Sequence, residues 1–235
     1  MFAFHNDPAI KAKYLARVRA HAAADELVKG TGWSTDGKGC AIGCTLEAYD
    51  HARYPIELGI PEMLARLEDC IFEGLANDIA QRWPERFLET IEPGADLSRV
   101  GWQFLHWLLT ESGIGSYDHP LVKDAVAQCA AVIEPLTRGE PADASAAWSA
   151  ARSAARSAAW SAESAAKSAA KSAAWSAARS AAWSAAESAE SAAKSAAWSA
   201  AESAESAAKS AAWSAAYLKM ANKLLELLAN AGVKK

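Results

Sequence analysis

Residues 61–75, PEMLARLEDCIFEGL, carry the spacing that recurs through the first part of this chain. Their large apolar side chains repeat at intervals of three and four residues, which is the spacing of one helix face: Leu64, Leu67, Ile71 and Leu75. Pro61 suits the start of a helix and Gly74 its end. The stretch therefore predicts an amphipathic helix with one side in a core.

Similar segments, separated by turn-forming residues, fill residues 1–140. This part holds twelve of the thirteen glycines and seven of the eight prolines, so its helices are expected to be short. No segment shows sustained alternation of apolar and polar residues, so we predict no sheet. The sequence predicts an all-α fold with a compact multi-helix head. Helix starts are expected at Pro8 (running to about Val28), Gly39 or Cys40, Pro61, Asn77, Pro84, Asp96 and Pro120.

The composition changes after Pro141, since residues 142–231 contain neither glycine nor proline. The unit SAAESAESAAKSAAW occurs at 184–198 and again at 199–213. If each unit spans four helical turns, the repeat has about 3.75 residues per turn, which exceeds the ~3.6 residues per turn of an α-helix. This difference favours right-handed winding of any partner helix. Alanine buries little surface, so this helix needs a neighbour. We predict a long Ala/Ser-rich helical repeat over 141–216 that folds back or forms a homo-oligomer through its Ala/Trp face.

Residues 217–235, YLKMANKLLELLANAGVKK, return to an ordinary amphipathic pattern. Their apolar residues share one helix face: Leu218, Ala221, Leu224, Leu225 and Leu228. We expect this C-terminal helix to pack onto the head or to pair with itself. The chain is thus divided into a helical head (1–140), a low-complexity repeat (141–216) and an amphipathic C-terminal helix (217–235).

Charge and length exclude several classes of protein. The 235 residues carry a net charge of -4, and residues 141–235 hold only 11 basic against 7 acidic side chains, a weak footprint for nucleic-acid binding. The longest run without charge, Val100–Thr110, is too short to span a membrane. The N-terminus lacks a signal-peptide pattern, and four cysteines do not form a disulfide framework. We predict a cytoplasmic protein with free thiols and no cofactor.

The stretch 30–54, GTGWSTDGKGCAIGCTLEAYDHARY, is the candidate functional region. A glycine-rich loop with Lys38, followed by a helix start, is typical of an anion cradle, and Trp33 is placed to stack on a base. The hypothesis is that this loop captures a small anionic, nucleotide-like ligand. The candidate ligand-binding residues are Trp33, Gly37, Lys38, Gly39, Cys40, Arg53 and Tyr54.

The same stretch permits other interpretations. Cys40 at a helix N-terminus could be a nucleophile with His51 as its base, oriented by Asp50 or Glu57. Cys40 and Cys44 with His51 supply only three ligands without a familiar zinc spacing, so we predict no metal site. The plainest alternative makes both cysteines core residues and the glycines loop-forming residues.

Three further assignments concern isolated side chains. His21 and Asp25 share a helix face and form a candidate acid/base pair. His106, among aromatic neighbours, is interpreted as a core histidine. Cys70 and Cys129 are also interpreted as core residues.

Several segments together resemble a family of uncharacterised proteins from bacteria, prophages and phages, some of which carry the label immunity protein. The segments are GKGCAIGCTLEAYDHARYPIELGIPEMLARLEDCIFEGL (37–75), WPERFLETI (83–91), GADLS (94–98) and SAAWSAAYLKMANKLLELL (210–228). The resemblance implies a role in the conflict between phage and host, in the host cytoplasm, such as blocking a defence protein or holding a signalling nucleotide.

These observations favour a non-enzymatic binding protein that captures a small anion or a host protein partner. A cysteine-dependent hydrolase or transferase using Cys40, His51 and Asp50 is the alternative. A structural oligomerisation spacer is a third hypothesis.

Overall fold

The computed structural model describes residues 2–113, 120–140 and 211–232, and the regular secondary structure of this part is helical. Two isolated bridges, Leu27–Gly39 and Trp33–Gly39, are its only β pairing. The prediction of an all-α fold is confirmed over the described ranges. A short 3₁₀ turn at Ala3–Asn6 precedes α1 (Pro8–Ala23), α2 (Ala41–Leu46), α3 (Arg53–Leu58), α4 (Glu62–Gly74), α5 (Asn77–Ala80), α6 (Trp83–Thr90), α7 (Val100–Thr110) and α8 (Pro120–Thr137).

Residues 211–229 form a further helix, called here the C-terminal helix. Residues 141–210 of the predicted repeat, and the homo-oligomer interface predicted for it, lie outside the described residues. Within the ranges that are described, no helix has the length and apolar character to cross a bilayer.

Local side-chain chemistry explains where two helices depart from their predicted bounds. Asp7 caps α1 by accepting the Ala9 N–H at 2.8 Å, but α1 ends at Ala23 because Asp25 adopts a left-handed φ of 59°. The Asp96 carboxylate accepts the Ser98 N–H at 3.1 Å, and this turn delays the start of α7 to Val100. The helix α3 was not predicted, because its six residues show no apolar period.

The helix predicted from residues 61–75 lies at the centre of the head, where α4 packs against α2, α3, α6 and α7. It begins at Glu62, directly after Pro61, and ends at Gly74 as expected. Its buried apolar side chains include Leu64, Ile71 and Phe72. The spacing in the sequence therefore identified the central helix of the core.

The C-terminal helix completes this core. Its face of Ala221, Leu224, Leu225 and Leu228 belongs to the same buried cluster as the head residues. Tyr217 lies flat on Gly74, where a Cβ would overlap its ring, and the Asp96 N–H donates to the Gly232 carbonyl at 3.0 Å. The head and the C-terminal helix therefore share one hydrophobic interior.

Leu224→Ala tests this docking. Leu224 is fully buried, so the substitution is expected to lower the free energy of unfolding by about 2–5 kcal/mol. Asn222→Ala, at an exposed position of the same helix, serves as the matched control and should change it by less than about 0.5 kcal/mol. Urea unfolding followed by Trp fluorescence measures both, and equal effects would contradict the docking.

Candidate functional site

Three of the five glycines of residues 30–54 are explained by close packing, whereas Gly30 and Gly37 adopt positive φ angles of 72° and 82° in open space. The Gly32 carbonyl oxygen lies against α2, 2.6 Å from the place where a Cβ would stand on Gly39, and a Cβ on Gly43 would overlap it. The Tyr49 ring covers Gly32 in the same way. Absence of side chains at these positions thus lets the loop lie directly on α2.

The backbone amides that were expected to hold an anion already have partners inside the chain. The Gly37 N–H donates to the Ser34 carbonyl at 3.2 Å, and the Lys38 N–H donates to the Ser34 hydroxyl at 3.2 Å. The Gly39 N–H donates to the Glu26 carbonyl, and the Cys40 N–H donates to the Thr31 carbonyl. Because these donors are used, the loop does not present an anion cradle.

The side chains of the predicted ligand set do not converge either. Lys38 is half exposed, 4.0 Å from the Asp36 carboxylate, whereas Trp33 packs edge-on against His21 with ring centroids 5.6 Å apart. Arg53 forms an ion pair with Glu57 along α3 at 2.5 Å. Tyr54 is fully buried and donates its hydroxyl to Glu68 at 2.8 Å. Cys40, Cys44 and Tyr54 belong to the buried core, as the plainest alternative expects of the two cysteines, whereas Lys38 lies at the surface.

Cys40 is not in the surroundings of an activated nucleophile. The side chain is 1% exposed, and burial together with the neighbouring Asp69 carboxylate raises the pKa of its thiol. Burial likewise raises the pKa of Cys44 to about 12. A thiol that stays protonated near neutral pH is a poor nucleophile. The catalytic role of Cys40 stays a prediction that this geometry disfavours.

The carboxylate that contacts His51 is Asp69, not Asp50 or Glu57. The His51 Nε2 and the Tyr49 hydroxyl both lie 3.1 Å from Asp69 Oδ2. Asp50 instead accepts the Ala52 N–H at 3.0 Å, in the turn before α3. Asp69 therefore fastens the turn at 49–52 to α4, and the sequence missed it because it reads there as an ordinary helix residue.

Hydrogen bonding decides the protonation of Asp69. Burial alone would raise its pKa, but the bonds from His51, Cys40 and Tyr49 outweigh burial and lower it. Within the described ranges, no group of three or more His, Cys, Asp or Glu side chains is arranged to hold a metal ion. We interpret the cluster around Asp69 as a structural fastening.

Two other side-chain assignments from the sequence need correction. His21 pairs with Glu26 at 2.6 Å, since α1 ends before Asp25. Cys70 is exposed on α4, whereas Cys129 is buried as expected.

Glu68, next to Asp69 in sequence, is the fully buried carboxyl group of α4. Burial raises its pKa well above the ordinary value of 4.5, so the side chain is held as a neutral acid. Its Oε2 accepts the Tyr54 hydroxyl, and its Oε1 has no hydrogen-bond partner. The pKa values of two adjacent carboxyl groups are thus shifted in opposite directions by their surroundings.

A separate candidate site lies where α7, the end of α8 and the C-terminal helix meet. A cavity of about 500 Å³ occupies this junction. We call it the basic groove, because its three basic side chains outnumber the single acidic one, and its polar and aromatic lining includes Arg99, Gln103, His106, Trp107, Glu111, Arg138 and Lys223. Histidine 106 lines this groove and is only half-buried, so its interpretation as a core residue was wrong.

The cations of the basic groove come from three separate elements. Arg99 precedes α7, is exposed, and forms no ion pair with the described residues. Arg138 pairs with Glu134 at 2.9 Å and Glu140 at 2.8 Å on its outer side. Lys223 pairs with Glu226 at 2.7 Å and lies 6.0 Å from the Trp107 ring centroid. Their convergence arises only when the C-terminal helix is docked.

Comparisons with known proteins add no assignment: no protein-family model matches the chain, and neither the curated proteins nor the solved structures yield a match. The resemblance to bacterial and phage proteins stays a prediction.

Gly43→Ala tests the packing of the glycine-rich region. In a helix, alanine is favoured over glycine by about 1 kcal/mol. Here its Cβ would overlap the rigid Gly32 carbonyl, so we expect a destabilisation of about 1–3 kcal/mol. Gly101→Ala is the control, since its Cβ meets the flexible Met63 side chain and should cost less. Thermal unfolding measures both, and a stabilising Gly43→Ala would refute the close approach.

Glu68→Gln and Asp69→Asn should change the pH dependence of stability in opposite ways. The raised pKa of Glu68 means that the native protein holds a proton that the unfolded chain releases above about pH 4.5, so stability falls as pH rises from there. Glu68→Gln should remove that fall and gain stability at pH 7 relative to wild type.

Asp69 has a lowered pKa, so its contribution is present above about pH 4 and is lost as pH falls through its native value. Asp69→Asn should therefore lose stability at pH 7 and less at pH 3. Urea midpoints from pH 3 to pH 8 measure both variants. Parallel curves for wild type and Glu68→Gln would contradict the neutral-acid assignment.

Proposed function

We propose that this protein is a non-enzymatic binding protein that captures a small anionic ligand in the basic groove. The observation that carries the proposal is the convergence of Arg99, Arg138 and Lys223, from three separate elements, on one cavity. The predicted class of ligand is kept, but the binding site moves away from Lys38.

The size and lining of the groove support this proposal. Ligand sites of proteins commonly have volumes of about 300–1,000 Å³ and combine apolar walls with a few polar groups. Trp107 supplies an aromatic wall, and Gln103 and His106 supply polar groups. Arginine is suited to phosphate and carboxylate groups because its planar donors bind two oxygens at once.

The existing ion pairs leave room for a ligand. Exposed pairs such as Arg138 with Glu134 contribute only about 0–1 kcal/mol each, so an incoming anion can compete for the guanidinium. Arg99 forms no ion pair with the described residues, so an anion that binds it displaces none of their carboxylates. We therefore assign Arg99 as the principal anion contact.

The other hypotheses have different support. A cysteine-dependent hydrolase or transferase requires a reactive Cys40, which burial and Asp69 oppose. Homo-oligomerisation rests on the Ala/Trp pattern of the sequence, and the exposure of Trp213 at the end of that pattern favours it. A role in conflict between phage and host, in the host cytoplasm, rests on the resemblance alone.

Charge reversal at Arg99 tests the site. Titration calorimetry with inorganic pyrophosphate, on the full chain, should show binding that Arg99→Glu weakens at least about tenfold, because a charge-assisted bond of about 1.5–3 kcal/mol is lost. Binding should also weaken as salt increases.

Two charge reversals serve as controls. Arg86→Glu changes an exposed arginine of α6 outside the groove and should leave pyrophosphate affinity within about twofold. Lys38→Glu distinguishes the basic groove from the glycine-rich loop. If Lys38→Glu lost pyrophosphate binding while Arg99→Glu kept it, the anion would bind at the glycine-rich loop and the proposal would be overturned. Absence of pyrophosphate binding would also overturn it.

A further inference from the structure

A second cavity adjoins the basic groove at the first turn of α7. It has a volume of about 210 Å³ and lies between α7 and the end of the C-terminal helix. Arg99 and Gln103 line both cavities. Arg99 therefore stands at the border of the two cavities, where a single ligand can contact the lining of both.

The second cavity has fewer basic side chains than the first, in which Arg99, Arg138 and Lys223 outnumber Glu111. Asp96 and Asn230 are its distinctive polar side chains, and Arg99 at the junction is its basic residue. A carboxylate repels a phosphate group but accepts hydrogen bonds from hydroxyl groups, and an amide both donates and accepts. This lining suits a neutral, hydroxyl-bearing and amide-like portion of a ligand.

Several contacts fix this second cavity in place. The Gln103 side chain donates to the Thr137 carbonyl at 3.4 Å, which holds it at the junction of the two cavities. The Asp96 N–H donates to the Gly232 carbonyl at 3.0 Å, which holds the end of the C-terminal helix beside Asp96. Both walls of the cavity are therefore set before a ligand enters.

We propose that the ligand of the basic groove is a nucleotide, with its phosphate at Arg99, Arg138 and Lys223 and its nucleoside along Gln103 toward Asp96 and Asn230. This inference rests on the proposed function and adds the chemical class of the ligand. A bare inorganic anion would use the first cavity alone. A nucleotide carries the two kinds of chemistry that the two cavities offer.

The test compares the 5′-monophosphates of adenosine, guanosine, cytidine and uridine with inorganic phosphate, by titration calorimetry on the full chain at pH 7.5. At least one nucleotide should bind ten or more times tighter than phosphate. Asn230→Ala should reduce that advantage at least fivefold and leave phosphate affinity unchanged. Asn222→Ala, exposed on the same helix and outside both cavities, is the matched control.

The outcomes separate the two proposals. Phosphate that binds as tightly as every nucleotide would overturn the nucleotide assignment and leave the anion site standing. A nucleotide advantage that Asn230→Ala does not change would overturn the placement of the nucleoside. If neither phosphate nor any nucleotide binds, the nucleotide assignment is overturned, and the pyrophosphate titration decides separately whether the anion site stands.

Discussion

The packing of the C-terminal helix into the head is the interaction on which both the core and the basic groove depend. Leu224 and Leu228 are almost fully buried among head residues. The same helix carries Lys223 to one wall of the groove and Asn230 to the second cavity. A ligand that contacts α7, α8 and this helix together must stabilise their docking, because binding to the folded state alone shifts folding toward it.

A second constraint acts in residues 30–54, where backbone lies directly on backbone. The Gly32 carbonyl occupies the space that side chains at positions 39 and 43 would fill. Gly39 and Gly43 therefore meet a packing requirement, since a side chain at either position would overlap this carbonyl. Glycine next to lysine at a helix start occurs in anion-binding loops and also where backbone packs closely. The two cases differ in their backbone amides, which are unpaired in an anion-binding loop but are hydrogen-bonded within the chain here.

Much of the fold could be predicted from local sequence because helix starts and stops are local signals. Proline at 8, 61, 84 and 120, and the three-and-four spacing in α4, predicted the starts of α1, α4, α6 and α8 within about two residues. The candidate site could not be predicted in this way. Arg99, Arg138 and Lys223 lie far apart in sequence, and the latter two stand near glutamates that make them typical of solvated ion pairs. Only tertiary docking brings them together.

The shared interior also determines which experiments can separate function from folding. A chain ending at residue 140 would lose Leu224, Leu228 and Lys223 at once, so a defect in it would combine loss of core with loss of a groove residue. The helices on both sides of residues 141–210 pack against the head. Removal of everything after residue 140 therefore changes the head as well. Exposed positions such as Arg99 and Asn230 avoid this difficulty, because neither side chain contributes to the buried cluster. Function in this protein is therefore best separated from stability at the rim of the groove.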